Sequence, residues 1–115
     1  MNNNIAIAEA YYTAMAEKNI AGMEKYLHPD VRLISPLAEI LGKEAVLESA
    51  KKLIALFKTL TIRAKFGSED QAMLAIDLDY PAPIGNLRTA VLMTFKDGLI
   101  TKNELFFDAR PFDKK

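Results

Sequence analysis

The sequence has no cysteine and only one histidine. Without cysteine there is no disulfide, no thiol nucleophile and no Cys-based zinc site. A lone histidine, with no second ligand at a recognised spacing, makes a poor metal centre. An excess of charge is also missing, since 15 basic and 15 acidic side chains cancel to a formal net charge of zero. Such a chain has no long-range pull on a polyanion, so no nucleic-acid partner is expected. Its apolar runs are too short to span a bilayer, so no membrane partner is expected either. Met1 to Asn4 carry no basic stretch and lead into no signal-peptide core, which makes the cytoplasm the default compartment. There is no Gly-rich phosphate loop, nucleophile elbow or Walker pattern.

What is present suits one domain over residues 1–115. Half of the residues are hydrophobic and 26% are charged, enough for a core without staples. No repeat, linker or low-complexity tract divides the chain.

Residues 4–18 are rich in helix formers, and Asn4 is placed to cap them. Ile5, Ala8, Tyr12 and Met15 form one apolar stripe, with Ile7, Ala10, Tyr11 and Ala14 beside it. Two stripes predict a helix buried on more than one side. Asn19 starts a short helix that runs to about Tyr26, and His28-Pro29-Asp30 breaks it. Residues 31–34 read as a short strand stopped by Pro36, and residues 38–41 as a further extended piece. Val46, Ala50, Leu53, Ile54 and Phe57 then repeat at helical spacing over residues 43–57.

From Leu60 the period becomes two. Leu60, Ile62, Ala64 and Phe66 alternate with Thr61, Arg63 and Lys65, and the two basic residues read as solvated. Leu74, Ile76, Leu78 and Tyr80 alternate with Met73, Ala75, Asp77 and Asp79. A Pro-rich loop over residues 81–86 precedes a strand over 87–95, an Asp97-Gly98 hairpin turn and a last strand over 99–108. Helices first and a meander last predict an α+β fold with antiparallel strands. The last two strands are apolar on both faces: Ala90 and Leu92 oppose Val91, Met93 and Phe95, and Phe106 opposes Leu105 and Phe107. Helices cover only one face of a sheet. The other needs a cover, and a second copy of the chain is the simplest, as a homodimer through the outer sheet face.

The order of a tyrosine-bearing helix, "YLHPDVRLISP", "GKEAVLESAKKLI", a meander and "DGLITKNELFFDA" resembles the nuclear transport factor 2-like superfamily. Within it, the chain looks most like the SnoaL-like and ketosteroid-isomerase-like branch. That resemblance implies a cone-shaped, curved antiparallel (mixed) sheet wrapped around a long N-terminal helix with two further helices. A pocket would lie at the open end of this cystatin-like α+β barrel. It also implies dimers that pack sheet against sheet. Ketosteroid isomerases use a helix tyrosine, a proton-moving carboxylate before a proline, and a protonated aspartic acid on a late strand. Carried over, these positions fall on Tyr11, Ser35 before Pro36, and about Val91. A serine hydroxyl is far too weak a base alone, and valine donates nothing. The steroid isomerase constellation is thus not expected here.

Several residues remain candidates for a site. The Tyr11 hydroxyl could hold a ligand oxygen or simply a backbone carbonyl, while Tyr12 should turn elsewhere, towards packing. Ser35 could orient a ligand or finish the Pro36 turn. Asn103 shares a face with Leu105 and Phe107, where its amide needs a partner: a ligand, Tyr11 or water. His28 reads as an exposed turn residue, with a general-base role as the sharper alternative. Asp77 and Asp79 should point outward, with Asp79 opposite Arg88. A register slip of one residue would instead bring Asp77 into the pocket as the strongest base. Glu39 lies near the expected pocket mouth.

These features predict a small-molecule binding protein whose apolar pocket takes a small apolar or amphipathic molecule, with Tyr11, Ser35 and Asn103 as anchors and no metal or cofactor. Two alternatives stand beside it. One is a cofactor-independent isomerase, cyclase or hydrolase acting on a small cyclic compound, with Asp77, His28 or Glu39 as base. The other is a dimerisation or partner-binding module whose cone is filled by its own side chains.

Overall fold

Two tyrosine-bearing stripes on one helix require cover from several directions, and a curled sheet supplies it. The computed structural model describes residues 3–113. In chain order it contains α1 (Asn4–Ala16), α2 (Ile20–Glu24), β1 (Leu27–Ile34), β2 (Glu39–Leu41), α3 (Lys43–Leu56), β3 (Thr59–Gly67), β4 (Gln71–Asp79), β5 (Asn86–Lys96) and β6 (Leu99–Phe106). A 3-10 turn, Arg110–Asp113, follows. The strands form one sheet in the order β2-β1-β6-β5-β4-β3. Every pairing is antiparallel except β1 with β6, which is parallel. The architecture is the expected α+β one, with a mixed sheet. Among the described residues no helix is long and apolar enough to cross a membrane.

Helix α1 buries Ala8, Tyr11, Tyr12, Ala14 and Met15, which takes up both predicted stripes. It starts differently from expectation. Asn3 stands at the cap position without a side-chain bond, and Asn4 is already helical. The Asn4 amide instead donates to the Glu69 carbonyl at 3.0 Å, tying the helix to the β3–β4 turn. Beyond the helix, Lys18 takes a positive φ of 60°. Its ammonium donates to the Phe57 carbonyl at 2.8 Å and lies 5.1 Å from the centre of the Phe57 ring. One side chain thereby satisfies an orphan carbonyl at the end of α3. Asn19 caps α2 as expected, accepting from the Gly22 N–H at 3.0 Å.

Strand register sets which side chains face the helices. Leu74, Ile76 and Leu78 pair with Val91, Thr89 and Leu87 on the concave face. On the convex face Asp77 stands opposite Arg88, and Asp79 opposite Asn86. The expected Asp79–Arg88 pair is therefore not formed. The connecting loop is tighter than a simple reading allows: the Tyr80 N–H donates to the Gly85 carbonyl at 2.9 Å, and Gly85 turns at a φ of 69°.

Strand β3 corrects a second expectation. Its register shifts between Ile62 and Ala64, so that Ala64 faces Ala75 and Lys65 faces Leu74. One extra residue in a bulge reverses the alternation after it. Lys65 consequently turns to the helix side, where its ammonium meets Glu9 at 2.9 Å. Ala64 and Phe66 move to the outer face, and Phe66 is 65% exposed there. A similar irregularity absorbs His28-Pro29-Asp30. Strand β1 begins earlier than predicted, at Leu27, and its register with β6 slips between Leu27 and Arg32.

Candidate functional site

Where α1 and α3 stand off the concave face, a cavity of about 320 Å³ remains. That volume lies at the lower end of the range for small-molecule pockets. Helix α1 contributes Tyr11, Tyr12 and Met15, and α3 contributes Val46, Ala50 and Leu53. Ile76, Leu78, Leu87 and Leu105 form the sheet side. At one end the ring of Phe112, from the 3-10 turn, packs edge-on against Tyr80 at 5.8 Å and against Phe107 at 5.7 Å. The Arg110–Asp113 turn thus adds an aromatic wall to the pocket.

The polar groups at the cavity are few and neutral. Asn103, on β6 and only 2% exposed, donates from Nδ2 to the Tyr12 hydroxyl at 2.8 Å. Its Oδ1 is buried without a partner among the described residues, as is the Thr89 hydroxyl. Tyr11 and Tyr12 meet edge to face at 5.1 Å. Burial pushes the Tyr11 and Tyr12 hydroxyls well above the usual tyrosine value, with the Asn103 bond acting in the opposite direction on Tyr12. Burial likewise pushes Tyr80 up to about 12. All three phenols therefore hold their protons at neutral pH and can act as donors.

The candidates from the sequence separate into two groups. Tyr11, Ser35 and Asn103 all line the cavity. Ser35 also holds its own turn, its Oγ accepting from the Leu37 and Ala38 N–H groups at 3.1 and 3.3 Å. Asn103 is bonded to Tyr12, so Tyr12 is a pocket residue and does not turn away as expected. Helix α1 is enclosed on two sides, and neighbours about 100° apart on its surface both reach the cavity. Thr89 also lines the cavity, and its place between Leu87 and Val91 in the alternation marks it as core-facing.

The other candidates lie elsewhere. Asp77 is on the convex face, its Oδ1 3.7 Å from the Arg63 guanidinium. His28 accepts the Asp30 N–H on Nδ1 at 3.0 Å, within the β1 irregularity. Glu39 is ion-paired with Arg32, whose Nε lies 3.1 Å away on the β1–β2 edge. Val91 is fully buried on the concave face but does not line the cavity. Among the described residues, those lining the cavity include no carboxylate, imidazole, ammonium or guanidinium. No group of three or more metal-ligating side chains occurs among the described residues.

Comparison with known proteins places the chain. No curated protein matches its sequence. Among solved structures, one from Kribbella flavida superposes with a TM-score of 0.90 at 21% identity, covering 97% of this chain and 93% of that one. An NTF2-like protein of unknown function from Cytophaga hutchinsonii gives 0.86 at 17% identity, covering 99% and 97%. A steroid delta-isomerase from Pseudomonas aeruginosa gives 0.79 at 19% identity, covering 94% and 81%. At such identities the likeness is one of fold, the NTF2-like α+β fold. The sequence itself matches the model of the SnoaL-like domain over residues 8–103, and the chain belongs to that family.

Proposed function

We propose that this protein binds a small, largely apolar or amphipathic molecule in the cavity between α1, α3 and the concave sheet. The observation that carries this reading is the Asn103 Oδ1, buried without a partner among the described residues, at a largely aliphatic and aromatic cavity. A buried acceptor left without a partner costs about 1–3 kcal/mol. A ligand that completes it recovers that cost, and the apolar walls supply affinity. Tyr11 is a further anchor, while Ser35 lines the cavity with its hydroxyl already bonded within its own turn.

Steroid isomerase chemistry is not part of the proposal, although a steroid isomerase shares the fold. Proton abstraction needs a positioned base within hydrogen-bond reach of its substrate. The positions carried over from the isomerases are Ser35 and Val91 here, and Asp77, His28 and Glu39 each engage partners away from the cavity. In the proposed assembly a second copy covers the outer sheet face, where Phe66 and Phe106 are 65% and 50% exposed.

The test is binding of Nile red, a neutral apolar dye, followed by its emission. The wild-type protein should take up one dye per cavity. An Ala50→Trp variant, which places an indole in the cavity from α3, should stay folded and lose the dye. Equal binding by that variant, or none by the wild type, sinks the reading.

A further inference from the structure

We infer that the Asn103–Tyr12 pair recognises a neutral group that both donates and accepts a hydrogen bond. The pocket then selects uncharged hydroxyl- or carboxamide-bearing molecules over carboxylates, ammonium compounds and plain hydrocarbons. This deepens the ligand-binding reading above and rests on it.

Asn103 is held rigidly. It sits on β6 between Met93 of β5 and Leu33 of β1, a central position in the sheet. The residue is 2% exposed, and among the described residues its side chain makes one hydrogen bond, to Tyr12. An amide has two donor and two acceptor positions, and a phenol has one donor and two acceptor positions. With Nδ2 donating to Tyr12, the pair leaves Oδ1 as an acceptor and the Tyr12 O–H as a donor. If the amide is turned over, Tyr12 donates to Oδ1, which leaves Nδ2 as a donor and the phenol oxygen as an acceptor. In both arrangements the pair keeps at least one donor and one acceptor free for the cavity. A hydroxyl answers both with a single oxygen, and a carboxamide does so with adjacent atoms. A ketone or ether answers only one.

Charge is selected against by what surrounds the pair. A carboxylate entering the cavity would lose its water and find no cationic side chain among the described lining residues. An ammonium would find no anion. A hydrocarbon would be accepted by the walls but would leave the Asn103–Tyr12 pair unfinished.

Three probes of similar size separate these cases: 2-naphthol, 2-methylnaphthalene and 2-naphthoate, titrated calorimetrically at neutral pH. Methylnaphthalene is the most hydrophobic, so a merely greasy pocket would prefer it. The expected order reverses that. Naphthol binds about tenfold more tightly than methylnaphthalene, the equivalent of one well-formed hydrogen bond, and naphthoate binds weakest. In Asn103→Leu the naphthol advantage disappears while methylnaphthalene still binds. Should that variant fail to fold, the double variant Asn103→Leu with Tyr12→Phe, which removes both polar groups and leaves neither unpaired, provides the same comparison. Equal binding of the two neutral probes, tightest binding of naphthoate, or an unchanged ratio in both variants overturns the selectivity and leaves the pocket standing. Failure of both neutral probes to bind the wild type overturns the ligand-binding reading and this inference together.

Discussion

Asn103 and Tyr12 are 91 residues apart in sequence, and the amide nitrogen of one stands 2.8 Å from the phenol oxygen of the other. The bond ties β6 to α1 across the pocket. Tyr12→Phe keeps the ring and strips Asn103 of its partner, so its cost is that of a buried polar group left unpaired, about 1–3 kcal/mol. Asn103→Leu in turn leaves the buried Tyr12 hydroxyl without its partner and should cost a similar amount. The double variant should be more stable than the sum of the two single losses predicts. Urea unfolding of the four proteins measures this. A Tyr12→Phe variant as stable as wild type would show that the bond contributes nothing.

At the other end of α1, Ile5 occupies the space that a side chain at Gly67 would need. A Cβ built on Gly67 would lie 2.5 Å from Ile5 Cγ1. Gly67→Ala should therefore force the Ile5 side chain, or the start of α1 with it, to shift and cost up to about 1–3 kcal/mol, as overpacking does. Ile5→Ala in the same chain should restore part of the loss, because it removes the atoms in conflict. If the double variant is less stable than Gly67→Ala alone, the contact is not the cause.

Most of the fold was legible because its signals were local. The stripes of α1, the helical spacing of Val46 to Phe57 and the Asp97-Gly98 turn each specify an element with no help from the rest. The pocket was legible only in part. Tyr11, Ser35 and Asn103 followed from the resemblance and from strand alternation. Tyr12 did not, because its role depends on a strand that returns 91 residues later. The direction of Lys65 was hidden for a related reason: the bulge after Ile62 is a property of how β3 pairs with β4, and it leaves no mark in the alternation of β3 itself. The loop closed by Tyr80 and Gly85 similarly decided that Asp77, not Asp79, faces Arg88.

The buried phenols make stability depend on pH in the alkaline range. Burial raises Tyr11, Tyr12 and Tyr80 above the ordinary value of 10.0, Tyr80 to about 12. Below pH 10 the folded and unfolded chains both keep these protons, and the stability linked to them is fully present. Above pH 10 the unfolded chain loses protons that the folded chain retains, so stability falls as pH rises. Each such tyrosine contributes a slope of up to about 1.4 kcal/mol per pH unit, which for Tyr80 ends near its folded value. The urea midpoint should be level up to about pH 9.5 and fall steeply above 10. Tyr80→Phe should make that fall shallower. A midpoint that is level through about pH 11 contradicts the account.

The convex face carries two adjacent apolar rows. Phe66, Met73 and Leu92 lie across β3, β4 and β5 in one, which ends at Glu104 on β6, and Ala64, Ala75, Ala90 and Phe106 extend to β6 in the other. Polar rows flank them, with Gln71, Thr94 and Lys102 on one side and Thr61, Asp77 and Arg88 on the other. An apolar band edged by polar residues is the pattern of a contact surface, and a two-fold axis through it would pair the band with itself. The alanine row lets two sheets approach closely, while the larger side chains beside it fill the gap between them. Leu92→Lys puts a charge in the middle of the band without touching the concave core. The wild-type protein should sediment as a dimer at micromolar concentration. Leu92→Lys should sediment as a monomer with an unchanged circular dichroism spectrum. A wild-type monomer at high micromolar concentration, or a variant that still dimerises, means that the pairing surface lies elsewhere on the molecule.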